Sequence, residues 1–567
     1  MARTIGIGLQ EFSKIRTKDT FYIDKTDFIR EWWEAEDDVT LITRPRRFGK
    51  TLLVSTVEQF FSVNYADHSG AWFEGLHIWQ DEKYRKLHGT FPVISISFSD
   101  IKETSYIQVK KKLCEIIVDL YNKYDFLAQA LNNREKEYFY RVSANMEDYE
   151  ASISLRRLSD YLYQYYHQKV IILLDEYDTP MQEAFVGGYW EELAAFIRSL
   201  FNATFKNNPY MERAILTGIT RVSKESIFSD LNNLEVVTTT SNKYAAAFGF
   251  TKEEVFSALQ EYGLSDRKEE VKYWYDGFTF GEKKEIYNPW SIINYLDKKK
   301  VAPYWTNTSS NHLIGKLIQE GSKQLKESFE ELLNDRSVLT QIEEQIVYNQ
   351  LDVDESAIWS LLLASGYLRV KGYEIRGQEY GEWKQIYELQ ITNFEVKLMF
   401  RDMVQSWFAP SVSSYNDFIK ALLIDDLKAM NLYMNRVALT TFSFFDSGKN
   451  PSGYKEPERF YHGFVLGLLV DLADRYSVTS NRESGFGRYD VLLEPKMHDD
   501  AIILEFKVQD SEEEKELTDT VRAALNQIKE KRYSDILISK GIEKDHIRCY
   551  GFAFRGKEVM IGKETSQ

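Results

Sequence analysis

The sequence predicts a multidomain α/β protein, on three observations. Over roughly the first 245 residues, short apolar or β-branched runs alternate with helical stretches, the pattern of a mostly parallel sheet covered by helices. From about Phe250 the pattern becomes mainly helical, and the last third returns to strands and helices in alternation. A chain of 567 residues, at about 150 residues per domain, has room for three to four domains. The expected division is a first α/β domain over 1–245, a mainly helical lid or linking region over 246–405, and a second α/β domain over 406–567.

The elements follow in order. The runs 39–43, 93–98, 170–174 and 214–219 are short, continuous and bounded by polar or turn residues, as strands buried on both faces are. Beyond residue 250, TKEEVFSALQEYGL, NPWSIINYLDKKK, HLIGKLIQEG and KESFEELLNDR read as helices. Thr251, with Glu254 three residues on, forms a capping box for the first of them. Residues 344–396 carry short mixed elements, and SYNDFIKALLIDDLKAMNLYMNRVALTTFSFF returns to helix. The C-terminal part then orders a helix (PERFYHGFVLGLLVDLADRY), two strands (RYDVLLEP and AIILEFKV), a helix (TDTVRAALNQIKEKRY) and a terminal strand (CYGFAFRG).

Composition excludes several classes. The chain is 43% apolar and 14% aromatic, with 36 Tyr and 35 Phe, far more core-forming material than a disordered chain holds. Ten Pro and 29 Gly exclude collagen-like and low-complexity readings. Clean apolar runs such as 170–174 fall well short of the roughly 18 residues a spanning helix needs, so no membrane partner is expected. The first twenty residues contain no apolar stretch with a small-residue cleavage site. Cys114 and Cys549 cannot build a disulfide framework or a four-ligand zinc site, and the eight His include no close pair. A reducing cytoplasm is the expected compartment. The formal charge of −16, from 71 Lys+Arg and 87 Asp+Glu, argues against a protein that coats nucleic acid indiscriminately. It leaves room for a local basic groove.

Two constellations carry chemistry. In the first, the run VTLIT enters Arg44-Pro45-Arg46-Arg47-Phe48-Gly49-Lys50-Thr51, and a helix begins near Leu52. Strand, loop, Gly-Lys-Thr and helix form the context of a phosphate-binding loop, in which backbone amides and a helix N-terminus face phosphate oxygens. Lys50 would reach the outer phosphates of ATP, Gly49 would admit them, and the Thr51 hydroxyl would bind Mg²⁺. Arg44 stands where the first glycine of the usual pattern belongs. The run VIILL ends in Asp175-Glu176: Asp175 is expected to hold the Mg²⁺ directly or through water, and Glu176 to orient or deprotonate the attacking water. A polar residue in the following strand end, LTGIT, is a candidate sensor of the terminal phosphate. Arg221 would supply charge in cis or in trans, and Arg46 and Arg47 lie near the phosphates by sequence.

The second constellation is an arrangement for phosphodiester hydrolysis. Asp490 opens one strand, and Glu505-Phe506-Lys507 lies in the next. Alternation puts Glu505 and Lys507 on one face and Phe506 on the other, and a hairpin brings Asp490 beside them. Asp490, Glu505 and the Phe506 carbonyl are hard oxygen donors suited to Mg²⁺, with Mn²⁺ as a substitute. Lys507, side by side with Glu505 on an apolar strand, would position the nucleophilic water and offset developing charge. Gln527, on the next helix, is placed to contact that water or the phosphate. Glu458 and Glu483 compete as a further acidic group, and Arg488 is a candidate phosphate ligand. The aromatic cluster KYWYDGFTFGEKKEIYNPWSI reads more readily as a tight turn with local core than as a base-stacking surface, and His462 as a core residue.

These residues carry a resemblance. FYIDKTDFI (21–29), RPRRFGKTLLVSTVEQFF (44–61), LLDEYDTP (173–180), LTGITRVSKESIFSDLNNL (216–234) and YDGFTFG…IYNPWSI (275–292) resemble the bacterial AAA-ATPase-like family, whose usual loop also has Arg at position 44. SGFGRYDVLL (484–493), IILEFK (502–507) and ALNQI…RY (524–533) resemble the PD-(D/E)XK nuclease superfamily domain that commonly accompanies that ATPase. Tyr489 replaces the proline of the superfamily name. The resemblance implies a P-loop NTPase core, a helical middle and an α/β/α restriction-endonuclease-like end. The expected function is ATP binding and hydrolysis coupled to a Mg²⁺-dependent nuclease acting on DNA or RNA. The resemblance adds a setting in bacterial defence or mobile elements, and P-loop precedent adds a homo-oligomer. Two rivals stand beside it: a nucleotide-switched interaction or signalling protein whose nuclease fold is a scaffold, and a nuclease whose P-loop is structural.

Overall fold

The structure is a computed structural model describing residues 2–221, 227–228, 230–308, 312–343, 351, 354–376, 383–407, 412–445, 456–484, 487–510, 514–555 and 557–564. The side chains of Glu458, His462, Glu483, Arg488 and Asp490 lie outside the described residues. The chain divides into two compact units, residues 1–308 with 339–396, and residues 309–338 with 397–567. The span 246–405 is thereby shared between both.

In the first unit the continuous apolar runs become β1 (Val39–Thr43), β2 (Val93–Ser97), β3 (Val170–Asp175) and β4 (Met211–Gly218). With β5 (Leu234–Val237) they form a parallel five-stranded sheet of order β2-β3-β4-β1-β5. Every residue of β1 and β3 is buried, which is why neither shows polar alternation. Helices Asp27–Ala35 and Lys50–Phe61 cover one face, through Trp32, Val57, Phe60 and Phe61 against Ile42, Ile171, Leu173 and Ile215. The order inserts β4 between β1 and β3, so the ends of all three strands converge on one point.

β5 was not expected. Its sequence LEVV includes Glu235, and it pairs only with β1 at the sheet edge, where a polar residue is tolerated. The aromatic segment after residue 270 forms a hairpin of β7 (Asp276–Phe280) and β8 (Lys283–Tyr287), joined by the short β6 (Phe250–Thr251) in the order β6-β8-β7. The capping box at Thr251 is present in both directions, with Glu254 N donating to Thr251 Oγ1 at 3.4 Å and Thr251 N to Glu254 Oε2 at 2.7 Å. β9 (Val338–Thr340), β10 (Leu368–Arg376) and β11 (Lys384–Ile391) form a third small sheet.

The second unit centres on β12 (Tyr476–Ser484), β13 (Gly487–Pro495), β14 (Ala501–Val508), β15 (Ile547–Arg555) and β16 (Glu558–Lys563), in sequential order. Only β14 and β15 run parallel, and helix Leu517–Glu530 makes the crossover between them. Sequence reading passed over β12 and β16, which stand at the two edges and carry polar residues. The β16 edge is closed by side chains. Asn431 and Asn435, one turn apart on helix Leu427–Phe445, each exchange two hydrogen bonds with a strand residue, Ile561 and Val559, at 2.6–2.9 Å. Amide groups thus stand where a further strand would pair.

Candidate functional sites

The loop after β1 turns through residues in the left-handed region, Arg47 at φ 66° and Gly49 at φ 85°. Gly49 caps helix Lys50–Phe61, so the helix starts two residues earlier than the sequence suggested. A Cβ built on Gly49 would meet nothing within 4 Å, leaving open space at the helix N-terminus, where amides attract anions. Lys50 is buried, and its Nζ donates to the carbonyls of Arg44 and Pro45, both at 2.9 Å. Burial pushes its ammonium below its ordinary value, against the pull of Glu176 and Asp175.

Thr51, Asp175 and Thr217 form a connected chain. Thr51 Oγ1 donates to Asp175 Oδ2 at 2.7 Å, and Thr217 Oγ1 donates to Asp175 Oδ1. Register explains the second contact: Leu174 faces Leu216 across the β3–β4 pair, which brings the next residue, Asp175, beside Thr217. Glu176 follows in the left-handed region at φ 52° and is half-buried. Its amide donates to Thr217 Oγ1 at 3.4 Å, and its Oε2 accepts from Thr179 at 3.3 Å. The hydroxyl and carboxylate of Thr51 and Asp175 are an all-oxygen donor pair that fits Mg²⁺. Arg46 and Arg47 are exposed; Arg46 donates to Gln182 Oε1 at 3.4 Å, and Arg47 stacks 4.3 Å over the Trp290 ring. Arg221 is half-buried, and its Nε has no hydrogen-bond partner among the described residues.

Sequence reasoning missed four supports of this loop. Asp178, buried, accepts from Ile219 N, Thr220 N and Thr220 Oγ1 at 2.8–3.0 Å, fixing the turn after β4. Asn288 Nδ2 and Trp305 Nε1 donate to the Arg46 carbonyl at 3.3 and 3.0 Å. Glu395 accepts from the Trp305 amide at 2.5 Å, the Thr306 amide at 3.3 Å and Ser291 Oγ at 2.8 Å. Only Asn288-Pro289, an Asn N-cap with Pro at the first helical position, left a sequence signal, and it announced a helix start. The Phe278 and Phe280 rings lie 4.8 and 5.4 Å from Phe48, so the β7–β8 hairpin is core behind the loop. Beside Gly49 lies an apolar cavity of about 100 Å³, walled by Leu9, Ile15, Tyr22, Phe48, Leu52 and Phe250.

In the second unit Glu505 is buried, and its Oε1 accepts from Gln527 Nε2. That amide also lies 3.3 Å from the Tyr533 hydroxyl. Helix Leu517–Glu530 reaches this close because Gly551 stands opposite Glu505 in β15; a Cβ there would sit 2.9 Å from the Val521 carbonyl. Phe506 turns to the other face, 4.8 Å from Phe552. The β13–β14 register pairs Val491 with Leu504, the residues next to position 490 and to Glu505. Lys507 is half-buried rather than enclosed, because β14 emerges from the core toward Val508. The described residues contain no group of three or more His, Cys, Asp or Glu able to hold a metal.

Residues 6–228 match the family described as predicted AAA-ATPase, and residues 456–564 match the PD-(D/E)XK nuclease superfamily. The chain joins an AAA-ATPase-like region to a PD-(D/E)XK region. Both together indicate ATPase and nuclease activity in general terms, with nucleotide and divalent metal as the usual cofactors of such regions. The chain is also 26% identical over 574 residues, covering 98% of each chain, to a protein of Azotobacter chroococcum mcd 1 described as an uncharacterized protein in the vnfD 5' region. Among the described residues no helix is long and apolar enough to cross a membrane.

Proposed function

We propose that this AAA-ATPase-like and PD-(D/E)XK chain binds and hydrolyses ATP at the loop after β1, and that ATP governs Mg²⁺-dependent cleavage of DNA or RNA at Glu505. The observation that carries the reading is the Thr51–Asp175–Thr217 chain beside Lys50. The ends of β3 and β4 and the first turn of the helix after β1 carry a carboxylate, hydroxyls and an ammonium there instead of apolar residues, an expensive arrangement unless a ligand uses it.

In this reading Gly49 admits the phosphates, and Lys50 exchanges its two carbonyl partners for phosphate oxygens. Arg46, Arg47 and Arg221 add positive charge, Arg221 in cis or toward a neighbouring copy. Thr51 and Asp175 hold the Mg²⁺, and Glu176 orients the attacking water and takes its proton. The apolar cavity beside Gly49 receives the base. In the second unit Asp490, Glu505 and the Phe506 carbonyl hold the metal, Gln527 keeps Glu505 in plane, and Lys507 positions the water. Mg²⁺, replaceable by Mn²⁺, supplies charge neutralisation at both sites and lowers the pKa of a bound water at the second. The proposal extends to a cytoplasmic homo-oligomer in defence or mobile-element biology.

The test is cleavage of labelled single- and double-stranded DNA and RNA, with and without ATP, beside ATP turnover. Wild type, Lys50→Ala and Glu505→Ala are compared. Glu505→Ala is expected to abolish cleavage and spare ATP turnover, while Lys50→Ala abolishes turnover and the response of cleavage to ATP. Cleavage indifferent to ATP and to Lys50→Ala would leave a nuclease with a structural loop. ATP binding with no cleavage of any substrate would leave the switch-like interaction protein.

A further inference from the structure

Three successive carbonyls of the phosphate loop are held by side-chain donors. Lys50 Nζ takes those of Arg44 and Pro45, and Asn288 and Trp305 take that of Arg46. The first two bonds come from a group that must turn to a phosphate when nucleotide arrives; the last two come from residues far along the chain. In the ATP-binding reading the loop has a second arrangement, in which Lys50 holds phosphate and releases the two carbonyls that precede the one of Arg46.

What holds Trp305 is a single carboxylate. Glu395 is 1% exposed and gathers the amides of Trp305 and Thr306 and the hydroxyl of Ser291. It thereby ties together three segments of the first unit. Ser291 lies in the first turn of the helix Pro289–Lys298, which Asn288 caps. The Trp305 ring is packed between Phe278 at 5.4 Å and Tyr367 at 5.6 Å, so its indole N–H has little freedom to turn away. The flanks of Glu395 are anchored as well. Asn393 Nδ2 donates to the Tyr275 carbonyl at 3.2 Å, and the Phe394 ring lies 4.8 and 4.9 Å from Tyr273 and Trp274.

The position of these residues in the chain gives the arrangement its meaning. The first unit ends at Thr308 and again at Val396. Trp305 and Thr306 lie within three residues of the first of these points, and Glu395 is the residue before the second. Helix Phe394–Ser406 starts in the first unit and continues into the second.

We propose that Trp305 and Glu395 are positioning residues of the phosphate loop, and that through them its nucleotide-dependent rearrangement reaches both points where the chain leaves the first unit for the second. The inference rests on the ATP-binding reading above and adds to it the route by which ATP governs the C-terminal unit. ATP shifts the population toward the arrangement in which Lys50 holds phosphate, and the Arg46 carbonyl, Trp305 and Glu395 move as one packed set.

Amide hydrogen exchange on the full chain, with and without ATP and Mg²⁺, tests this without relying on cleavage. In wild type, ATP is expected to slow exchange several-fold both at residues 44–52 and at 394–406. Trp305→Phe keeps an aromatic ring beside Phe278 and Tyr367 while removing the indole N–H and part of the ring's volume; it should retain the response at 44–52 and lose the one at 394–406. Glu395→Gln, a near-isosteric second variant, should weaken the response at 394–406 in the same direction. A purely structural role would instead speed exchange in both regions regardless of ATP. The inference is overturned if 394–406 responds in Trp305→Phe as in wild type, or if in wild type only 44–52 responds. A wild-type loop that ignores ATP would overturn the ATP-binding reading itself, and the inference with it.

Discussion

The two carboxylate sites are built on opposite plans. Asp175 is the last residue of a fully buried strand, and both its oxygens accept from hydroxyls. Glu505 lies in the middle of β14 and accepts from a side-chain amide. Their cations differ in the same sense: Lys50 is buried and held by two carbonyls, whereas Lys507 is half-buried near an emerging strand end. A hydroxyl both donates and accepts, so Thr51 can offer a lone pair to a metal while its proton keeps Asp175 as acceptor. An amide N–H₂ can only donate, so Gln527 fixes the plane of Glu505 and stays. The first site reads as one that exchanges partners when its ligand arrives, and the second as one already set.

The sharpest break of this comparison is to neutralise each carboxylate in turn. Asp175→Asn is expected to cost about 10²–10³-fold in ATP turnover, and Glu505→Gln about as much in cleavage. Asp175→Asn should leave cleavage by the nucleotide-free protein unchanged, and Glu505→Gln should leave ATP turnover unchanged. Equal loss of both activities from either change would mean that the two sites are not separate.

The supporting donors sharpen it further. Thr217→Val removes a hydroxyl from Asp175, and Gln527→Leu removes the amide from Glu505. Groups that orient a metal-binding carboxylate are worth about 10–100-fold. If the plans differ as described, Thr217→Val changes the concentration of Mg²⁺ needed for ATP turnover, because Asp175 must then rearrange with Thr51 alone. Gln527→Leu lowers the maximal cleavage rate instead. Two variants with the same metal-titration behaviour would erase the distinction between an exchanging site and a fixed one.

How much of this was legible beforehand follows the same divide. Lys50, Thr51, Asp175 and Glu176 stood out because a buried parallel sheet writes its strands as continuous apolar runs, and polar residues at their ends are conspicuous. Glu505, Gln527 and Lys507 stood out by alternation on β14 and by the helix after it. The edge strands β5, β12 and β16 did not, because an edge tolerates charge and shows no clean pattern. The roles of Trp305, Glu395 and Asn288 in holding the loop were invisible for another reason. Their role is a contact to a carbonyl about 240–260 residues away in the chain, or to the residue that makes that contact, and no local periodicity encodes it. Lys507 shows the limit of an alternation argument: it gives the face a side chain takes, and where the strand leaves the core is decided by what packs over it.

The smallest expected effect concerns two buried carboxyls, one in each unit. Burial pushes Glu395 up to about 7, against the hydrogen bonds from Ser291, Trp305 and Thr306. It pushes Glu330 up to about 7 as well, against those from the Ser480 hydroxyl and amide. The ordinary value is 4.5, so between about pH 4.5 and 7 the folded chain holds protons that the unfolded chain has released. Stability is therefore greatest at the acid side of this window, falls as pH rises through it, and levels off above it. Each group is expected to contribute about 1–3 kcal/mol to that fall. Thermal melts from pH 5 to 8 should show a declining midpoint in wild type, with Glu395→Gln and Glu330→Gln each removing part of the slope. The first should flatten the melting of the unit that holds the phosphate loop, and the second that of the unit holding Glu505. If Glu395→Gln leaves the slope intact, Glu395 is ionised in the folded chain at pH 6, and its hold on the Trp305 and Thr306 amides is then charge-assisted and stronger than a neutral carboxyl provides.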